Sequence, residues 1–142
     1  MTRDNRQNRS YDSWEASADE FYTGDPLWRV RVYRRAAYLA ELADDDVVDL
    51  ARNAATRLIA GQLARAVGSV MTSISEGYSR TSTADRTRIY EFGLGSARES
   101  RDWYRRGRYV LGPVIIRSRI AELTSIIRML LSLIKKERQR KR

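Results

Sequence analysis

Two apolar-periodic segments that meet at one short polar turn, within residues 61–99, constrain this chain more than any other feature. Leu63, Val67, Val70 and Ile74 recur at helical spacing up to Gly77, and Ile89, Gly93, Ser96, Ser100 and Trp103 recur after it. The pattern predicts a helical hairpin. Gly77 marks the end of its first arm, because the residue just past a helix often takes positive φ. Ser82, with Asp85 three residues on, starts the second: the hydroxyl caps free amides and the carboxylate suits the positive helix end. Folding the arms antiparallel about Arg80 sets Gly68 opposite Gly93, and Gly61 and Ser69 near Gly95, Ser96 and Ser100. Small residues on both sides predict the tightest helix contact of the protein.

The rest of the chain supplies two more helices, and with them an all-α, antiparallel up-and-down four-helix bundle. Asp25-Pro26 reads as an N-cap followed by proline at the first helical position. The helix expected over 27–42 carries one apolar stripe of Trp28, Val32, Leu39 and Leu42, and a second of Val30, Tyr33, Ala37 and Ala40. Asp44, Asp45 and Asp46 interrupt the stripe and read as negative charge at the start of the next helix, expected over 47–77. A third helix is expected over 83–110, closed by Leu111-Gly112-Pro113. The fourth starts at Pro113, where Ile116, Ile120, Leu123, Ile127, Leu130 and Ile134 form a heptad seam. Ile115, Ile126, Met129 and Leu133 lie beside that seam. Broad apolar faces on the first and fourth helices exceed what one chain covers and predict contact with further copies.

The run Ile74-Ser75-Glu76-Gly77-Tyr78-Ser79-Arg80, with Gln62 and Arg65 upstream and Gly95-Ser96-Ala97-Arg98-Glu99 downstream, resembles the signature of the four-helix bundle proteins named after the 23S ribosomal RNA intervening sequence. Met71, Ser73 and Ser79 stand where that family has Pro, Asn and Gly. The resemblance spans 27–133 and implies a bundle without established enzymatic activity. A more distant similarity, to the accessory protein of diversity-generating retroelements, implies a homopentameric barrel that binds nucleic acid and a reverse transcriptase.

Flanking the expected bundle of residues 25–134 are a polar segment, 1–24, and a basic tail, 135–142. The first carries three arginines against five acids in a chain of net charge +9, so the body is strongly basic. It reads as mobile, although Trp14, Ala18, Phe21 and Tyr22 on one face would allow a short helix over 13–22 that patches a groove or docks a partner. The tail holds six cations against Glu137 and is expected to repel itself and stay extended. No run approaches the length of a membrane span and no hydrophobic leader is present, which predicts a cytoplasmic protein with no membrane partner.

Histidine and cysteine are both absent. The commonest general base, thiolate nucleophiles and the commonest zinc ligands are therefore excluded, and no cofactor or metal is expected. Arg98, Arg101, Arg105 and Arg108 recur at spacings of 3, 4 and 3 along the third helix, with Arg106 and Arg80 flanking. A row of fixed guanidinium donors suits phosphates. Tyr104 and Tyr109 lie near enough to stack on unpaired bases. Lys135, Lys136, Arg138, Arg140, Lys141 and Arg142 extend the cationic surface. Glu76 and Glu99 admit a paired-carboxylate catalytic reading, but a structural network with Gln62, Arg65 and Arg80 fits better. The composite expectation is a non-enzymatic, homo-oligomeric bundle that binds RNA or DNA. The alternative is an interaction module whose basic surface only keeps it soluble.

Overall fold

The computed structural model describes residues 9–140. Its helices are α1 (Tyr11–Ala16), α2 (Glu20–Thr23), α3 (Arg31–Arg52), α4 (Arg57–Ser79), α5 (Thr83–Arg106), α6 (Arg108–Leu111) and α7 (Pro113–Arg140). The four long ones, α3, α4, α5 and α7, form the expected up-and-down bundle. Contacts are most extensive between α4 and α5, then α3–α4 and α5–α7, and the α7–α3 seam closes the ring more thinly.

Leu39, Leu50, Leu63, Val67, Val70, Ile74, Leu123, Ile126 and Leu130 are buried at the centre. Removing each such side chain from water contributes about 1.5–3 kcal/mol. On α3 the buried stripe runs Val32, Ala36, Leu39, Ala43, Asp46, Leu50, spaced 4, 3, 4, 3, 4. It passes straight through the aspartate run. The expected helix start at Asp44–Asp46 is therefore wrong: Asp46 occupies a core position, and the actual break falls at residues 53–56. There the Asn53 side chain accepts from the Ala55 amide (2.9 Å), and the Thr56 hydroxyl donates to the Leu50 carbonyl (2.7 Å). Pro26 opens only a single 3-10 turn, Pro26–Arg29, capped by the Asp25 carboxylate. An extended Val30 then precedes α3.

The hairpin holds with a shifted register. Ser82 caps α5 by accepting from the Asp85 amide at 3.0 Å. Ser69 and Ser96 do meet, hydroxyl to hydroxyl at 2.9 Å. Gly93, however, lies against Ser73 and Val70 rather than Gly68, so the glycine-to-glycine pairing is not formed. Gly77 does not end α4, which runs on to Ser79; among the described residues only Gly112 has positive φ, at 86°. Gly77 serves packing instead: a Cβ there would stand 2.6 Å from the Tyr90 ring, which is fully buried. Gly77→Ala is expected to cost about 1–3 kcal/mol through overpacking. Gly95→Ala meets nothing within 4 Å and is expected to gain about 0.5–1 kcal/mol from helix propensity. Urea denaturation of the two variants checks the opposite signs.

The third expected helix breaks at Gly107, whose Cβ position is 2.8 Å from Leu50 Cδ2. Close approach of α3 leaves no room for a side chain there. The C-terminal segment is helical through Arg140 rather than extended. Buried Glu137 holds it to the bundle by pairing with Arg86 of α5 (3.4 Å), and pairs within the segment with Arg140 (3.3 Å).

The N-terminal arm is also packed from residue 9 onward. Trp14 is buried against Trp28 and Tyr38, the Tyr38 hydroxyl donates to the Arg9 carbonyl at 2.6 Å, and Arg35 stacks on Tyr11 at 3.9 Å. Instead of one helix there are two short ones, and Phe21 and Tyr22 remain exposed. The arm thus covers part of the apolar face assigned above to another copy. Ile115 and Ile126 are likewise buried within the chain, while Met129 and Leu133 are half-buried.

Candidate nucleic-acid interface

The cationic residues singled out in the sequence do not converge on one point. Arg80 caps α4 at one end of the bundle; Arg108 follows α5 at the other. Arg98 and Arg105 are exposed on the side of α5 that faces α7, and Arg101 is half-buried on the same side. Arg106 is exposed a quarter-turn beyond Arg105, outside the row. Lys135, Lys136, Arg138 and Arg140 are exposed on the last two turns of α7, and Lys141 and Arg142 lie outside the described residues.

Two cross-helix contacts set the antiparallel register of α5 and α7. Arg101 Nη1 donates to Thr124 Oγ1 at 3.4 Å, and Arg138 pairs with Glu91. This register puts Arg128 opposite Arg98, with Arg117 beyond Arg105 and Lys135 beside Glu91. Arg117, Arg128 and Lys135, spaced 11 and 7, share one exposed stripe of α7. The α5/α7 groove is therefore cationic on both banks. No described carboxylate lies within ion-pair distance of Arg98, Arg105, Arg117, Arg128 or Lys135; Glu91 is taken by Arg138, which leaves Asp102 as the acid beside the row. Arg117 and Arg128 escaped the sequence reading. Their 11-residue spacing was visible, but not the strand of arginines across from it.

Tyr104 is fully buried, so the expectation that it stacks on bases is overturned. Tyr109 is 86% exposed, with the Arg108 guanidinium 4.4 Å from its ring centre. Arg108 also donates to the Arg105 carbonyl at 2.9 Å.

Gln62, Arg65 and Glu99 form the expected network across the α4/α5 groove: Arg65 Nη2 donates to Gln62 Oε1 (3.0 Å) and Glu99 Oε1 (2.8 Å), and Trp103 Nε1 donates to the same carboxylate at 3.1 Å. It faces solvent rather than the core. Glu76 is exposed and takes no part, and neither does Arg80, since one lies on a later turn and the other at the helix end. The paired carboxylates do not converge, and among the described residues no cluster of acids is fit to hold a metal.

The buried polar cluster lies elsewhere, at an aspartate expected to serve as a helix cap. Asp46 on α3 accepts from Arg119 Nε (2.7 Å) and Nη2 (3.4 Å) on α7, and from the Tyr104 hydroxyl (2.7 Å) on α5. All three residues are under 10% exposed. Burial, then the Asp46 charge and hydrogen bond, push the Tyr104 hydroxyl well above its usual pKa of 10.0. For Arg119, burial works against the charged form, but the bonds and charge of Asp46 outweigh it and the net shift is upward. One carboxylate thus ties three helices and keeps Arg119 ionised in the core. Its signal was Asp46 standing in register with Ala43 and Leu50.

Fold and surface together define a basic helical bundle with a phosphate-compatible groove and no convergent acid–base set among the described residues. The family model described as "23S rRNA-intervening sequence protein" matches residues 29–132, and the chain belongs to that family. A crystal structure of a protein of unknown function from the S23 ribosomal protein family of Bacteroides thetaiotaomicron VPI-5482 has the same fold, with a TM-score of 0.68 at 22% identity. The match covers 73% of this chain and 98% of that one. No curated protein matches the chain. Among the described residues no helix is long and apolar enough to cross a membrane.

Proposed function

We propose that this protein is a non-enzymatic RNA-binding bundle that holds phosphates in the α5/α7 groove. The observation that carries the reading is the placement of Arg98 and Arg128 on opposite banks with no described carboxylate paired to either. Like charges facing each other across a groove destabilise the free protein, and a polyanion between them relieves that repulsion. The family's name, which refers to ribosomal RNA, adds support for RNA over DNA.

About five phosphate contacts along the groove give an expected slope near −3.5 for log K against log [salt] with a single strand, or near −4.5 with a duplex. Filter binding or fluorescence anisotropy from 50 to 300 mM salt, on a structured RNA fragment and its DNA counterpart, measures it. A slope shallower than about −1 contradicts groove binding and favours the interaction module.

The same reading includes self-association, supported by the exposed apolar side chains Leu58, Val114 and Leu131. Five-fold symmetry and a reverse-transcriptase partner rest on resemblance alone. Sedimentation at micromolar concentration and co-purification with a reverse transcriptase encoded beside the gene test these two parts separately.

A further inference from the structure

A second concavity lies between α3 and α4, away from the α5/α7 groove, with the N-terminal arm as its outer wall. It measures about 620 Å³, the range of a small-molecule site. Its floor is low because Ala37, Ala40 and Gly68 carry almost no side chain; Met71 continues it, and Trp28 and Tyr33 stand at its end. Asp19 on the arm and Glu41 and Asp44 on α3 also line it, against Arg9 alone. Arg9 is already paired with Glu41 at 3.3 Å. The lining thus carries net negative charge in a chain of net charge +9.

Aromatic faces and carboxylates around an apolar floor select a cation with an apolar body. Neighbouring rings already hold a cation this way: Arg35 sits 3.9 Å over Tyr11. The acids stand on two walls, Asp19 on the arm and Glu41 with Asp44 on α3. A compact monovalent cation satisfies one wall. A linear chain with ammonium groups separated by methylenes satisfies both, its methylenes lying over Ala37, Ala40 and Gly68.

We infer that this cleft is a binding site for a linear aliphatic polyamine. Spermidine is the probe, titrated into the full chain by calorimetry and by the fluorescence of Trp14 and Trp28, with N-butylamine as the single-charge control. Saturable binding of spermidine is expected, with N-butylamine at least about tenfold weaker. Gly68→Leu is the blocking variant, because Gly68 lines the cleft and a Cβ there meets nothing within 4 Å, so the added side chain starts out into the open concavity. It is expected to weaken spermidine at least about tenfold with the melting temperature unchanged or raised, and Asp44→Asn to weaken it several-fold. Absence of saturable binding below about 1 mM overturns the assignment. So does Gly68→Leu binding as tightly as the parent. Preferential binding of a peptide of residues 135–142 over spermidine also overturns it, and gives the cleft to the tail of a second copy.

Discussion

Asp46→Ala is expected to cost about 3–5 kcal/mol of folding stability, the largest single-residue effect in this protein, because it strands the Arg119 charge in the core. Arg119 is 6% exposed, its Nε and Nη2 donate to Asp46 at 2.7 and 3.4 Å, and its Nη1 donates to the Ser118 hydroxyl at 3.3 Å. Tyr104 would lose its acceptor as well. The triple variant Asp46→Leu, Arg119→Met and Tyr104→Phe is expected to fall within about 1 kcal/mol of the parent or above it, since apolar replacement removes the desolvation costs of all three polar groups together. Urea midpoints at constant m-value measure both. A single-variant loss below about 1 kcal/mol would show that water reaches Arg119 in solution.

The second large effect is on binding. Arg98→Glu with Arg128→Glu removes two guanidinium groups from facing banks and puts two carboxylates in their place. RNA affinity is expected to drop at least about 100-fold at 150 mM salt, and the salt slope to flatten by about 2. Both side chains are exposed and outside any described ion pair, so helical content and melting should be retained. Arg101→Glu with Arg105→Glu is a less clean test, as Arg101 is half-buried against Thr124. Deleting the tail is less clean still, because Glu137 anchors it through Arg86 and Arg138 through Glu91. Lys136→Glu, at an exposed tail residue outside the groove stripe, reports on the tail without that damage. Unchanged affinity in the Arg98/Arg128 variant would remove the groove from consideration and leave the interaction-module reading.

Periodicity carried the helices and their faces. Leu123, Ile127, Leu130 and Ile134 are buried as the heptad seam required, and Ser82 caps the helix that its spacing from Asp85 announced. Errors arose where a polar residue type was read by its commonest habit. Three consecutive aspartates suggested a solvated cap, yet 3.6-residue spacing from Leu39 and Ala43 carries one of them, Asp46, into the core. Tyr104 suggested a base-stacking platform for the same reason, although it lies one helical turn from buried Ser100 on the inner face. The basic C-terminal run suggested an extended tail because net charge says nothing of Glu137, whose position continues the stripe from Ile134.

By itself the sequence determined four helices, their order and their inward faces, since backbone hydrogen bonding and apolar spacing act within a stretch of chain. It also determined a cationic surface without histidine or cysteine chemistry. Only the tertiary structure decided which polar groups meet. Asp46, Tyr104 and Arg119 are 58 and 73 residues apart in the chain as counted from Asp46, and they find one another because α3, α5 and α7 converge. Arg98 and Arg128 face each other through the register of α5 on α7. Such pairings depend on how far one helix slides and turns against another, and that is settled by side-chain volumes such as Gly77 beneath Tyr90 and Gly107 beneath Leu50.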